Sequence, residues 1–230
     1  MSAQSSPDLI QQPSTGIPRT YILALVPSAV ALNIVGAFIS GILRLPLYLG
    51  LVGTITVCLL TGPWWGVLSA VLTSVVISLF QGPIFLVFGL VSSGAAIVLG
   101  YGARLKMTKT LPRYFGLSLL VGLVSALISV PIYLFLFGGA TGHPTDVIIA
   151  AFTAMGQPLS LAVLFTKLLV EFADKPLQCF LALAILEALP PSFTGHLDFV
   201  KAFNMRRILW YIGLTCLLVL ILIIILSIIN

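Results

Sequence analysis

The chain has 230 residues, of which 60% are hydrophobic and only 7% charged, with a formal net charge of +5 and a mean hydropathy of +1.20. A water-soluble globule of this length needs a charged surface, so that class is excluded and an integral membrane protein is indicated. The apolar runs do not alternate every second residue, which favours spanning helices over a membrane barrel and predicts a single helical domain.

The first 18 residues are polar and lack an early Lys or Arg followed by a short apolar core. They read as a disordered tail rather than a cleavable signal segment. Stretches of about 20 apolar residues span a hydrocarbon core of about 30 Å. On that basis the spans fall at about 20–43, 46–62, 63–80, 83–103 and 114–137. A sixth helix is expected at about 172–189, and a further apolar run follows at about 208–229. Trp64 and Trp65 sit at an expected interface.

Two basic clusters set the expected orientation. Arg104, Lys106, Lys109 and Arg113 form one, and Lys201, Arg206 and Arg207 the other. Placing both in the cytoplasm leaves a single crossing between 138 and 200. Residues 138–170 then form an outer loop, with 144–170 re-entrant or in the outer leaflet and broken at Gly156-Gln157-Pro158; the alternative is that 147–170 crosses fully, with the 201–207 cluster outside against the usual bias. The expected organisation is a cytoplasmic tail over 1–18, a six-helix membrane domain over 19–193, a cytoplasmic linker over 194–207 and an additional transmembrane helix over 208–229.

Several residues carry chemistry. The stretch VEFADKPLQ brings Glu171, Asp174 and Lys175 within five positions of a very apolar chain. Charges near a membrane interior point to a pathway or a site. The same residues could instead cap a helix start, because Pro176 suits a first turn and Asp174 suits the dipole. The loop GGATGHPTD offers Thr141, His143 and Asp146 on a Gly-rich backbone that can approach a ligand. Read as an ordinary turn, it has Asp146 capping the next helix. Gln157 adds an amide able to donate and accept. Ala24 and Ser28, then Ala29, Asn33, Ala37 and Gly41, form a stripe of small or short residues on the first span, suited to close helix packing either inside the bundle or against a partner. Tyr48, Phe80, Tyr133 and Phe137 could stack on a flat ring or sit in an interfacial belt. His143 and His196 are the only histidines and Cys58, Cys179 and Cys216 have no paired spacing, so no metal site is expected. No phosphate-binding Gly-x-x-x-x-Gly-Lys loop is present.

Two stretches together resemble a known family. RLPLYLGLVGTITVCLLTGPWWGVLSAVLTSVV is similar to the second and third spans of the substrate-capture (S) components of energy-coupling factor vitamin transporters. FGGATGHPTDVIIAAFTAMGQPLSLAVLFTKLLVEFADKPLQCFLALAILEALPPSF is similar to their fifth loop and sixth helix. The likeness covers about 20–193 and departs at Gly50, where similar sequences often carry an acidic residue, and in the extra span at 208–229. The resemblance implies an all-α bundle of six helices, here plus one, in a bacterial or archaeal cytoplasmic membrane. It implies a non-enzymatic substrate-binding subunit with no cofactor, which captures a vitamin or vitamin precursor from outside. Its partners would be the lipid bilayer and a module of one membrane coupling subunit and two ATPases, with no nucleic acid. Thr141, His143, Asp146, Gln157, Glu171 and Lys175 are then the ligand-binding candidates, and Ala24, Ser28, Ala29 and Ala37 the docking candidates. Two rival expectations are a membrane scaffold without a ligand and a multi-span sensor module, the latter with an output domain after residue 230.

Overall fold

A computed structural model describes residues 19–194, 197 and 204–229, the run 218–229 as backbone only. The tail read over 1–18 lies outside the described residues, as do His196, Lys201 and most of the linker read over 194–207. Every regular element described is helical: α1 (Arg19–Ile42), α2 (Val52–Thr61), α3 (Pro63–Gln81), a 3-10 turn (Pro83–Val87) leading into α4 (Phe88–Arg104), α5 (Leu111–Phe137), α6 (Asp146–Ala154), α7 (Leu159–Ala188), a single turn α8 (Pro191–Thr194) and α9 (Met205–Ile229). Four helical stretches are long and apolar enough to cross a membrane: Thr20–Ile42, Pro63–Gln81, Pro83–Arg104 and Leu111–Phe137. That is the pattern of a multi-pass membrane protein.

Proline and glycine set most boundaries. Gly62 and Pro63 separate α2 from α3, and Gly82 and Pro83 separate α3 from the turn before α4. Proline lacks the N–H that a helix interior needs but fits a first turn, so each pair ends one helix and starts the next.

Two elements differ from the sequence expectation. The second span was expected over about 46–62, but only Val52–Thr61 is helical. Ten residues rise about 15 Å, half a hydrocarbon core. Residues 43–51 before it are non-helical, with Arg44 and Leu49 at positive φ. The second difference is in α7, expected to start near 172. It starts at Leu159 and runs unbroken for 30 residues, with Pro176 inside it. The helix start is set by Gly156, at φ +85, and Pro158, so the charged triplet lies mid-helix and does not cap an N-terminus. Residues 144–170 are therefore a short helix, a turn and the first part of α7.

The short helix is the hub. All ten residues of α2 are buried, and α1, α3, α4 and α7 pack on it, with α5 against α4 and α7 and with α9 on α7. A helix that is apolar all round and buried all round is a core helix. Tyr211 of α9 stacks on Phe180 of α7 at 4.8 Å, and Ile208 is fully buried there. The α1–α2 approach depends on Gly53, where a β-carbon would overlap the Ala29 carbonyl. Backbone cannot yield as a side-chain tip can, so Gly53→Ala should lower the melting temperature of the detergent-purified chain, by about 1–3 kcal/mol of stability. At Gly41 a β-carbon meets nothing within 4 Å. Gly41→Ala should therefore be neutral or stabilising by up to about 1 kcal/mol. Equal melting shifts in the two variants would show that the contact is loose.

Candidate functional site

A helix that begins half-way through a bundle leaves its first N–H groups far from water. Side chains of neighbouring helices receive amides at this start and in the segment that leads to it. Asn33, on the middle of α1 and fully buried, accepts from the Gly53 N–H at 2.7 Å and the Thr54 N–H at 3.3 Å. Its amide donates to Thr54 Oγ1 at 2.8 Å and Thr73 Oγ1 at 3.0 Å, tying α1, α2 and α3 together. Gln178 of α7 accepts from the Leu51 N–H at 2.6 Å. Asp174, one turn earlier, accepts from the Tyr48 and Leu49 N–H groups at 3.3 and 3.4 Å through Oδ1. Its Oδ2 accepts from Lys175 Nζ at 2.9 Å and Gln178 Nε2 at 2.6 Å. The non-helical segment 43–51 is thus fastened to α7 by the charged stretch.

Because α2 fills only one half of the bundle axis, the other half holds a cavity of about 210 Å³. Its floor is Gly50 and Leu51 with Glu171, Lys175 and Gln178 of α7. Its walls are Ala37 and Ser40 of α1, Tyr48 of the 43–51 segment, Thr73, Ser74 and Ile77 of α3, Phe85, Phe88, Val91 and Ser92 around the start of α4, and Tyr133 of α5. Thr141 and His143 form its roof. Lys175 Nζ lies 2.7 Å from Glu171 Oε2 and 2.9 Å from Asp174 Oδ2, both carboxylates being buried. The Glu171 contact is ionic, and Oε2 receives no well-directed hydrogen bond.

A second cluster closes the roof end. Lys167 is 1% exposed and has no carboxylate within ion-pair distance among the described residues. It donates to Tyr48 Oη at 2.6 Å and lies 3.2 Å from the centre of the Tyr133 ring. An ammonium over an aromatic face is held by the ring quadrupole. The phenols of Tyr48 and Tyr133 are 2.8 Å apart, Thr141 Oγ1 donates to Tyr133 Oη at 3.1 Å, and Tyr48 stacks on His143 at 4.4 Å. Burial, aided by the nearby Lys167 charge, lowers the His143 pKa to about 4. The ring is therefore neutral at pH 7, in keeping with the N–H that Thr145 donates to its Nδ1 at 3.3 Å.

The residues named from the sequence divide. Thr141, His143, Glu171 and Lys175 line the cavity. Asp146 lies outside the lining, with Oδ2 accepting from the Thr141 and Gly142 N–H groups at 2.7 Å each, so it shapes the roof loop. Gln157 is exposed at the turn before α7 and does not reach the cavity. Of the small-residue stripe, Ala24 and Ser28 face outward, Ala29 packs on Gly53 and Ala37 lines the cavity. Asn33, Lys167 and Gln178 were not singled out as site residues by the sequence. The available signal was spacing, since Lys167, Glu171 and Lys175 follow at i, i+4 and i+8, and Asp174 and Gln178 at i and i+4.

Comparison of the chain with protein-family models, with curated proteins and with solved structures returns no match.

The floor makes one direct prediction. Removing one member of a buried ion pair leaves the other charge unpaired, at about 3–5 kcal/mol. Lys175→Met strands two carboxylates and should lower the melting temperature sharply in detergent. Tyr101, on α4 away from the cavity, is 43% exposed, so Tyr101→Phe serves as a control and should leave it within a degree or two. A Lys175→Met protein that melts with the control would mean that the ion cluster is solvated.

Proposed function

We propose that this protein is the substrate-binding membrane subunit of an energy-coupling-factor-type importer, holding a vitamin-like small molecule in the half-height cavity above α2. One observation carries the reading: the cavity lies between apolar helices, yet convergent polar and aromatic side chains line it. The two sequence stretches that resemble the S components also supply about half of its lining. The first covers the 43–51 segment, α2 and most of α3, and the second covers the roof loop and α7.

In this reading the chain crosses the membrane seven times, through α1, α2 with its extended lead, α3, α4 with its 3-10 turn, α5, α7 and α9. The basic loop 104–113 faces the cytoplasm, as does the start of α1, and the roof loop 138–145 faces outside. Ligand enters under the roof and leaves after the subunit docks on an ATPase-driven module. Docking uses the outward side of α1 around Ala24 and Ser28, because Ala29 and Ala37 are turned inward.

The test is purification of the full chain from a membrane in which it is made, in mild detergent, followed by denaturation and mass spectrometry of what is released. The expected result is a small molecule in near-equal amount to protein, with ATPase subunits retained by the native chain. Ala24→Trp should lose the ATPase subunits and keep the small molecule. A small molecule with no ATPase under any condition would favour the sensor-module reading. Neither small molecule nor ATPase would contradict the proposal.

A further inference from the structure

Three hydroxyls of α1 and α3 in the cavity wall have a definite hydrogen-bond polarity, which follows from where each proton already goes, while Gln81, Ser92 and His143 also line it. A hydroxyl has one proton to donate. Ser40 gives its proton to the Leu47 carbonyl at 2.7 Å, Thr73 to Ser69 at 2.8 Å and Ser74 to Ala70 at 3.0 Å. Toward the cavity these three hydroxyls therefore present only lone pairs. Gln178 is engaged at both ends of its amide. Lys175 is held between Glu171 and Asp174, which leaves one ammonium proton. Glu171 lines the cavity and is 2% exposed; its Oε2 is buried against Lys175 Nζ at 2.7 Å, so its other carboxylate oxygen is the one that can meet a ligand.

The charges point the same way. The ion cluster at the floor sets two carboxylates against one ammonium, with Glu171 and Lys175 lining the cavity and Asp174 buried behind them. Lys167 does not line the cavity, being held behind the Tyr48 and Tyr133 phenols. The start of α2 would ordinarily favour an anion. Here the Leu51, Gly53 and Thr54 amides are occupied by Gln178 and Asn33, and the Tyr48 and Leu49 amides before them by Asp174. Phe85 and Phe88 add aromatic surface to the wall. Aromatic faces attract cations and stack on flat rings.

We propose that the cavity selects a flat ligand bearing a cationic or N–H-rich nitrogen group, such as an amine, an amidine or an amino-substituted heterocycle, with that group on Glu171, and that it disfavours carboxylates and phosphates. This rests on the capture reading above. The ligand donates to Glu171 and to the hydroxyl lone pairs of Ser40, Thr73 and Ser74, while its ring packs toward Phe85 and Phe88.

The test compares three one-ring probes, benzamidine, benzylamine and benzoate, on the full chain in detergent at pH 7, by titration calorimetry and ligand-dependent melting. Benzamidine and benzylamine should bind at least about tenfold tighter than benzoate, and only they should raise the melting temperature. Glu171→Gln should weaken benzamidine about tenfold or more. Ser74→Ala, which breaks no bond to the ion cluster, should weaken it about threefold with an unchanged ligand-free melting temperature. If Glu171→Gln does not fold, Ser74→Ala and the probe order decide. Benzoate binding as tightly as benzamidine, or benzamidine indifferent to the folded variants, overturns the inference. A co-purified ligand that is an anion without N–H donors, or that is held while all three probes fail, also overturns it and leaves the capture reading standing. No co-purified molecule and no probe binding removes both.

Discussion

Backbone amides in a hydrocarbon setting must find partners inside the protein, and α2 starts where no water can supply them. Its first turn lies level with Asn33 on α1 and Gln178 on α7, in the middle of both helices. Without those side chains the first turn of α2 and the segment before it would carry several orphaned donors, each at about 1–3 kcal/mol. A second long apolar helix in this place would avoid the difficulty and would also fill the bundle axis. The chain has a half-length helix and an extended lead instead, and the unfilled half is the cavity. The polar residues at the bundle centre and the open space beside them are thus consequences of one local choice.

The charged stretch of α7 follows from the same constraint. Asp174 receives four hydrogen bonds, two of them from the backbone of the 43–51 segment. Lys175 offsets its charge and that of Glu171. A buried ion pair is weak evidence for stability by comparison with apolar packing. Its retention here is better explained by its position, because Asp174 and Gln178 anchor a loop and Glu171 is left facing the cavity. Lys167 answers at the other end, where an ammonium between two tyrosines joins the 43–51 segment, α5 and α7 beneath the roof loop.

Much of this was legible from residue order, for identifiable reasons. The Gly62-Pro63 and Gly82-Pro83 pairs and the basic residues at 104–113 end apolar runs by local chemistry alone. The course of α7 was not, because three charges within five residues read as a boundary when the eye has only hydropathy. They lie in the helix interior because partners distant in sequence satisfy them, Tyr48 and Leu49 among them. The shortness of α2 was hidden in the same way, since 46–51 is apolar enough to continue a span and only its tertiary partners hold it non-helical. At the site, Glu171 and Lys175 could be found from charge in an apolar run. Asp146 and Gln157 drew attention for the same polarity, yet one folds the roof loop and the other sits at a turn, a distinction that hydropathy does not carry. Asn33 sits on a stripe of small residues whose spacing said nothing of the two amides it receives.

The central claim is that side chains of α1 and α7 cap a helix that begins inside the bundle. Hydrogen exchange at single-amide resolution tests it most directly, at Leu51, Gly53 and Thr54. These amides precede the first intrahelical bond of α2 and should nonetheless exchange as slowly as its interior. In Asn33→Ala the Gly53 and Thr54 amides should become fast, with Leu51 less affected, and in Gln178→Leu the pattern should reverse. Exchange at these three sites in the native chain as fast as in the 138–145 loop would contradict the account.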